Sequence, residues 1–343
     1  MLCCENTQKK SQCNFFVLIF LFKYLATRNR NSIFGRIKIY KMGRIVFLMV
    51  LVSIGFVSCK SNYTRIGDKD ANYIPYYLKV YEADSLYLVG DYEQSYQILD
   101  SLFKKYEPLV MDNYSEYGTY LSTAALTNKT KNFRAKVKLG FVNYGGIYSL
   151  HPDKVEIYNK IIQLSNLNDR QIIKLKKKYR DKLNAKLREE ILNIYNSDQE
   201  VRNREHSDHE INKIDEYNTI RIAKILEEHG FPQKKNVGSL NAFDLPGGFF
   251  YWPTLLLHQS TESKKQYLPM LYENVVKGNF EPHHYALVYD RVMMESNGNQ
   301  YYGSTSCSGT FNCDLINPIK IDSIRRSIGL PHINYYNWKV KKL

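Results

Sequence analysis

The sequence predicts a mainly α-helical protein, with helical hairpins in its N-terminal half and a helical domain that carries one β-hairpin in its C-terminal half. Three observations support this fold class. Apolar residues recur at helical spacing, Gly and Pro interrupt the helical segments at short intervals, and only residues 300–316 alternate as strands do. We therefore expect two modules, at residues 72–165 and 170–337.

An export signal precedes the two modules. Met42-Gly43-Arg44 is a basic head, and residues 45–57 form an apolar stretch that suits a signal core but is short for a membrane span, which needs about 20 residues. Residues 56–59, Phe-Val-Ser-Cys, resemble the lipobox of bacterial lipoproteins, in which the cysteine is acylated, for example with palmitate. We expect residues 42–58 to be a signal peptide, Cys59 to be the lipidation site and residues 59–71 to be a tether.

The same region predicts where translation starts and where the protein resides. Residues 1–41 do not fit an export signal, so we interpret them as an upstream extension from a misassigned start. Lys60, Ser61 and Asn62 follow the cysteine at once, which disfavours an uncleaved membrane anchor. They include no acidic residue of the kind that follows the cysteine in some surface-exposed lipoproteins. We therefore expect a lipid-anchored protein of the cell envelope that faces the periplasm.

The charge of the chain does not indicate nucleic acid as a partner. The sequence has 48 basic and 34 acidic residues, but nine of the basic residues and one of the acidic residues lie in residues 1–58. The mature chain is left with 39 basic and 33 acidic residues, a net charge of +6. One basic run, residues 174–180, is interpreted as a solvated helix face, with attraction to anionic lipid as the alternative. The expected partners are the membrane and a protein or small anionic ligand, and no cofactor is expected.

Two cysteines besides Cys59 remain in the mature chain. Cys307 and Cys313 flank the tip of the predicted hairpin, whose strands cover residues 300–307 and 311–316. An oxidising compartment favours a disulfide between them. No further ligands stand at a spacing that zinc requires, so no metal site is expected.

The first module contains a pattern that resembles one tetratricopeptide-type helical hairpin. Helices are predicted at residues 76–89 and 92–106, and the pattern consists of Ala83, Leu86, Gly90, Tyr92, Ser95, Leu99, Leu102 and Pro108. A second hairpin is predicted at residues 114–127 and 132–144. Because stable arrays usually need at least three repeats, a small helical bundle is the alternative. Either arrangement suits a docking or spacer element.

Polar residues interrupt the apolar faces of two consecutive helices in the second module. At 100° per residue, Asp198 lies inside the apolar stripe of the first helix and Arg202 lies at its edge. Asp215 and Asn218 lie inside the stripe of the next helix. Burying an unpaired polar group costs roughly 2–7 kcal/mol, so these side chains must find partners. The sequence therefore predicts an internal polar network.

Other polar residues of this module are candidates for the same network. A helix at residues 282–295 carries Asp290 and Arg291, which point about 100° apart and should reach different partners. His258 ends an apolar run, where a satisfied core or cap histidine is the commoner role. Gln300 and Tyr302 lie at the start of the predicted hairpin.

An ordered series of residues in this half resembles the bacterial family known as domain of unknown function 6624. The resemblance covers about residues 192–336, and the residues that carry it are Asp198-Gln199, Arg202, Asp215, Asn218, Gly230-Phe231-Pro232, Val237-Gly238, His258, Gln266, Asp290-Arg291-Val292, Gln300, Tyr302-Gly303, Pro318-Ile319, Arg325-Arg326 and Gly329-Leu330. Phe231 and Ser304-Thr305 depart from the pattern, where the family has Trp and Thr-Gln. The family has no established reaction, so the resemblance implies a domain without implying an activity.

The sequence supports three functional interpretations. The favoured one is a binding or interaction protein with a polar pocket lined by Asp198, Arg202, Asp215, Asn218, His258, Asp290, Arg291, Gln300 and Tyr302. The alternative is a hydrolase-type enzyme in which His258 acts as general acid or base and Asp215 or Asp290 orients it. In the third interpretation the network only stabilises the fold. The sequence leaves open whether the protein is an enzyme.

Overall fold

Short helices account for most of the described residues, as the sequence predicts. The computed structural model describes residues 63–112, 114–148, 153–203, 207–238, 251–305 and 314–343. The export signal, Cys59, Cys307, Cys313 and the tip of the predicted hairpin lie outside these residues. The helices of the described part are α1 Ile74–Leu88, α2 Tyr92–Phe103, α3 Glu116–Leu126, α4 Phe133–Tyr144, α5 Lys154–Ser165, α6 Asp169–Arg180, α7 Ala185–Asn203, α8 Asp208–His229, α9 Lys234–Val237, α10 Tyr251–Leu257, α11 Thr261–Val276, α12 Pro282–Asn297, α13 Ile321–Ser327 and α14 Tyr335–Val340.

The first four helices form the two hairpins that the sequence predicts. Gly90, with φ of +85°, allows the tight turn between α1 and α2. Ser95, which stands where the tetratricopeptide pattern has alanine, is fully buried and donates a hydrogen bond of 2.8 Å to the carbonyl of Ala83. Helix α1 also packs against α3, α3 against α5, and α4 against α6. This contact pattern is typical of stacked helical hairpins.

Helices α7 to α12 form the scaffold of the C-terminal half. Helix α7 packs against α8 and α10, α10 also contacts α12, and α11 pairs with α12. The buried face of α7 consists of Leu187, Ile191, Ile194, Asp198 and Val201, so the predicted burial of Asp198 is confirmed. Among the described residues, no helix combines the length and the apolar character needed to cross a membrane.

The predicted strand at residues 300–307 is only partly present in the described residues. Gln300 forms an isolated bridge with Leu315, in which the Gln300 N–H donates to the Asp314 carbonyl at 2.9 Å. Residues 301–305 form a loop rather than a strand, because their backbone N–H groups bond to side chains instead of to a neighbouring strand. The remainder of the β-hairpin stays a prediction.

Residues from both halves of the chain share one core. Residues 63–343 form a single compact unit. The Tyr77 hydroxyl on α1 donates to the carbonyls of Val275 and Phe280, at 2.8 and 3.1 Å. Lys339 on α14 donates to the buried carboxylate of Asp84 on α1 at 2.8 Å. Helix α1 is therefore held by residues from the middle and from the C-terminal end of the second half of the chain.

A buried ionic network links the two halves at a second point. The ammonium of Lys234 on α9 lies 2.9 Å from Asp112 Oδ1 and also bonds to Glu281. His284 Nε2 lies 3.5 Å from the other oxygen of Asp112. Burial alone would raise the pKa of Asp112, but Lys234 and His284 outweigh it and lower that pKa to about 2. The Asp112 carboxylate is therefore ionised at neutral pH.

We expect the substitution Lys234→Met to destabilise the protein strongly, because it leaves two buried carboxylates without their cation. Removing one partner of a buried ion pair costs about 3–5 kcal/mol. Urea unfolding followed by circular dichroism measures the loss. The exposed neighbour Lys235 provides the matched control, and Lys235→Met should leave the unfolding midpoint unchanged. Equal effects of the two substitutions would contradict this role of the network.

Candidate functional site

The candidate site is centred on the carboxylate of Asp198. Asp198 lies on the inner face of α7, between Ile194 and Val201, and only 1% of its surface is exposed. A carboxylate in such an apolar setting needs hydrogen-bond donors or a cation nearby. The helical spacing that buries the neighbouring aliphatic residues also determines where this charge lies.

Three side chains donate to the Asp198 carboxylate. His258 Nδ1 lies 2.9 and 2.8 Å from its two oxygens. Arg202 Nη1, one helical turn further along α7, donates to Oδ1 at 2.8 Å. Gln199 Nε2 donates to Oδ2 at 2.8 Å. Both oxygens of the buried carboxylate therefore have donors, and its position is fixed from α7 itself and from the segment after α10.

Arg202 connects this group to α8. Its Nη2 atom donates to both oxygens of Asp215, at 2.7 and 2.8 Å. A guanidinium that bridges two carboxylates in this way fixes their relative position through its planar fork of donors. About 22% of each of these two side chains is exposed, so the pair lies at the border between the core and solvent.

His258 is positioned for chemistry on its second nitrogen. It follows directly after α10, and its backbone N–H closes the last turn on the Thr254 carbonyl at 3.3 Å. When the imidazole is neutral, a proton on Nδ1 is the form that the Asp198 carboxylate stabilises. Nε2 then carries a lone pair. The side chain is 27% exposed, so solvent reaches part of the ring.

Asn218 adds a buried polar group beside this arrangement. It is 1% exposed, and its Oδ1 accepts a hydrogen bond of 3.4 Å from the Ser197 hydroxyl. Its Nδ2 atom has no hydrogen-bond partner among the described residues. Buried donors without a partner are uncommon in folded proteins, and each one indicates a bound water molecule or a ligand.

The sequence reasoning missed a group of charges next to the site. Lys264 on α11 is almost fully buried and donates to Glu295 on α12 at 2.7 Å. Burial lowers the pKa of Lys264, although Glu295 opposes this effect, and Arg291 and Asp215 also act on it electrostatically. Lys264 therefore lies within electrostatic range of both Arg291 and Asp215. The sequence neighbours of Lys264 are polar, so no local apolar pattern predicts its burial.

Asp290 holds a loop instead of contacting His258. Its Oδ1 accepts from the backbone N–H groups of Tyr301 and Tyr302, at 2.7 and 2.8 Å. Its Oδ2 accepts from the backbone N–H and the hydroxyl of Ser304, at 2.8 and 2.7 Å. Gln300 stabilises the same loop through both ends of its amide, which bond to the backbone of Thr305. These four donors give Asp290 a structural role.

Tyr302 belongs to this loop as well. Its ring is largely buried and packs edge-on against Tyr285 and Tyr289, with centroid distances of 6.1 and 5.1 Å. Its carbonyl accepts from Arg325 Nη1 at 2.7 Å. Burial raises the pKa of Tyr302 above its ordinary value, so the phenol stays protonated. The contacts of Tyr302 are those of a core residue.

The structure corrects one detail of the hydrolase interpretation. The acid that contacts His258 is Asp198, whereas the sequence reasoning named Asp215 or Asp290. Asp215 reaches the histidine only through Arg202 and Asp198, and Asp290 is occupied by the loop. The angular argument identified the correct helix faces, but it could not choose among several acids that lie on different helices.

One group of described residues has the composition of a metal site. The ligand atoms of Asp112, Glu281 and His284 lie within 4.8 Å of one another, and all three residues are buried. The ammonium of Lys234 lies against both carboxylates and supplies the positive charge that a metal ion would bring. The residues therefore form a complete ion network with an amino group as its cation.

Comparisons with models of protein families, with curated proteins and with solved structures found no match to this chain. The resemblance to the domain of unknown function 6624 therefore stays a prediction. The functional argument rests on the geometry of the site alone.

We expect the substitution Asp290→Asn to loosen the loop at residues 301–304. The amide nitrogen of asparagine cannot accept the Ser304 donors, and leaving buried donors unsatisfied costs about 1–3 kcal/mol. Amide hydrogen exchange should accelerate at Tyr301, Tyr302 and Ser304. Exchange in the last turn of α10, which precedes His258, is the internal control and should not change. Unchanged exchange in the loop would contradict the structural role of Asp290.

Proposed function

We propose that the protein is a lipid-anchored protein of the bacterial cell envelope, facing the periplasm, with a hydrolase-type site at His258. The contact between His258 Nδ1 and the buried carboxylate of Asp198, at 2.8 and 2.9 Å, is the observation that carries the catalytic part of this proposal. A histidine oriented by a buried acid is the usual arrangement of a general base. The lipobox at residues 56–59 supports the location.

The proposed chemistry needs a water molecule and an electrophilic centre in the substrate. His258 Nε2 accepts a proton from water while the water oxygen attacks the centre, and Asp198 stabilises the imidazolium that forms. The imidazolium then donates this proton to the leaving group as its bond breaks. Among the described residues close to His258, Ser197 is engaged with Ile194 and Asn218, so water is the nucleophile we propose.

Arg202 and Asp215 have a positioning role in this scheme. Arg202 donates to Oδ1 of Asp198 and Gln199 donates to Oδ2, while His258 Nδ1 faces both oxygens. Asp215 in turn holds the guanidinium through two hydrogen bonds. This chain of contacts keeps the imidazole in one orientation, which is what acid–base catalysis requires.

A binding protein is the second candidate function, and Asn218 supports it. Its buried Nδ2 donor lacks an acceptor within the described part of the chain, and a carbonyl or anionic oxygen of a ligand would supply one. Under this interpretation His258 contributes a hydrogen bond rather than proton transfer. Replacement of the histidine by glutamine would then leave most of the affinity for that ligand intact.

The substitution His258→Gln tests the hydrolase proposal. We expect hydrolysis of p-nitrophenyl acetate or p-nitrophenyl phosphate by the mature protein to fall at least about a hundredfold, because general acid–base catalysis contributes 10²–10⁴-fold. The exposed His209 provides the control, and His209→Gln should keep the full rate. Both variants should unfold at the wild-type urea concentration. Equal rates of ester or phosphate hydrolysis by the wild type and by His258→Gln would refute the proposal.

Lipid attachment is tested at Cys59. We expect mass spectrometry of the protein from a membrane fraction to find an N-terminal peptide that begins at Cys59 and carries acyl chains. The substitution Cys59→Ser should release the protein from the membrane fraction. A mature protein that begins before residue 59, without acyl groups, would contradict the proposed anchor.

A further inference from the structure

The positive charge of the protein is concentrated in two helices. Helices α4 and α6 together contain nine Lys or Arg residues and one acidic residue, Asp169. The net charge of the two helices, +8, exceeds the +6 of the whole mature chain, so the remainder of that chain is slightly acidic. Such a concentration on one part of a surface indicates an anionic partner.

The two helices lie side by side and run in the same direction. At their N-terminal ends, Arg134 Nη2 of α4 donates to Gln171 Oε1 of α6 at 3.2 Å. Near their C-terminal ends, Lys182, just after α6, donates to the carbonyl of Val142 at 3.1 Å and to Asn143 Oδ1 at 3.0 Å. Lys136 of α4 bonds to Tyr120 on another helix, whereas Arg134 contacts α6 and Lys138, one turn further along, is exposed. Lys138 and the exposed cations of α6 therefore form one basic surface.

This surface faces solvent. Ile172 and Tyr179 bury the inner face of α6. Arg170, Lys174 and Lys178, spaced by four residues, form an exposed row along the outer face. Two apolar residues are exposed close to the cations, Ile173 on α6 with 63% of its surface and Leu139 on α4 with 42%. Cations mixed with exposed aliphatic side chains are typical of a membrane-surface helix.

The anchored end of the chain enters the fold near the same two helices. Thr64 is already fixed, because its N–H donates to the Lys105 carbonyl at 2.8 Å and its carbonyl accepts from the Glu107 N–H at 2.9 Å. Only three residues lie between Cys59 and Tyr63, so the distance between these two residues is at most about 14 Å. The predicted tether is therefore much shorter than residues 59–71.

A surface cavity shows which helix ends lie beside this entry point. The cavity has a volume of about 220 Å³ and is lined by residues next to Thr64 and by the ends of α4 and α6, among them Ile66, Glu107, Asn143, Tyr144, Tyr179 and Lys182. An acyl group on Cys59 would hold this end of both helices close to the membrane surface.

We propose that the exposed basic surface of α4 and α6 binds the anionic phospholipid headgroups of the membrane that holds Cys59. This inference rests on the proposed lipid anchor. Each Lys or Arg close to an anionic bilayer strengthens binding about fivefold. Acyl chains and a basic surface together give the two signals that stable membrane attachment requires. The surface orients the folded part on the membrane, which a flexible anchor alone would leave free to rotate.

Vesicle binding by an unacylated protein tests the surface separately from the anchor. The protein comprises residues 59–343 with Cys59→Ser, and the vesicles contain phosphatidylcholine with or without phosphatidylglycerol. We expect co-sedimentation with the anionic vesicles only, and release at high salt because screening weakens the attraction. The triple substitution Arg170→Gln, Lys174→Gln, Lys178→Gln should weaken binding on the order of a hundredfold.

A charge-matched variant is the control. Lys213, Lys224 and Lys265 are exposed on α8 and α11, and their replacement by glutamine removes the same three charges. This control should bind like wild type, and both triple variants should keep the wild-type thermal unfolding midpoint. Equal binding by wild type and the α6 variant would overturn the proposal, as would equal losses in the two triple variants. The acylation of Cys59 is measured independently, so failure of the anchor and failure of this surface are distinguishable.

Discussion

The fold depends on supplying hydrogen-bond donors or cations to six buried carboxylates. In the described part of the chain these belong to Asp84, Asp112, Glu116, Asp198, Glu281 and Asp290. An isolated buried charge is costly, so each one fixes the segments that supply its donors. Glu116 accepts from the Tyr76 hydroxyl and from the N–H groups of Val110 and Met111, at 2.6–2.7 Å, which stabilises a turn where Val110 has φ of +53°. Asp84, Asp112 and Glu281 join the two halves of the chain.

The same constraint separates the functional site from the structural networks. Asp290 and Glu116 accept hydrogen bonds from backbone N–H groups, and these contacts fix the conformation of the loops that supply them. Asp198 instead uses side chains, among them the partly exposed imidazole of His258. A buried acid that bonds directly to a partly exposed histidine can orient that histidine, whereas an acid enclosed by backbone amides cannot. This difference is why we assign the proposed chemistry to His258.

The sequence predicted the parts of this structure that depend on local periodicity. The angular pattern of α7 identified the burial of Asp198 and the edge position of Arg202, because both follow from 100° per residue along one helix. It missed the network of Asp112, Lys234 and Glu281, whose members are 122 and 47 residues apart and have no local pattern in common. Within the strand predicted at residues 300–307, residues 301–305 form a loop instead, because Asp290, on another element, binds backbone N–H groups that a strand would use. Long-range partners of this kind leave no signal in a single sequence.

The central claim is that Asp198 orients the imidazole of His258. The most direct test of this claim measures which ring nitrogen of His258 carries the proton. Long-range ¹H–¹⁵N correlation spectra of the mature protein labelled on histidine nitrogen distinguish the two neutral forms, and the signal of His258 is identified by its loss in the glutamine variant. Our account predicts a proton on Nδ1 and a lone pair on Nε2 in the wild-type protein, and the loss of this preference in Asp198→Asn. A neutral His258 with its proton on Nε2 in the wild type would contradict the account.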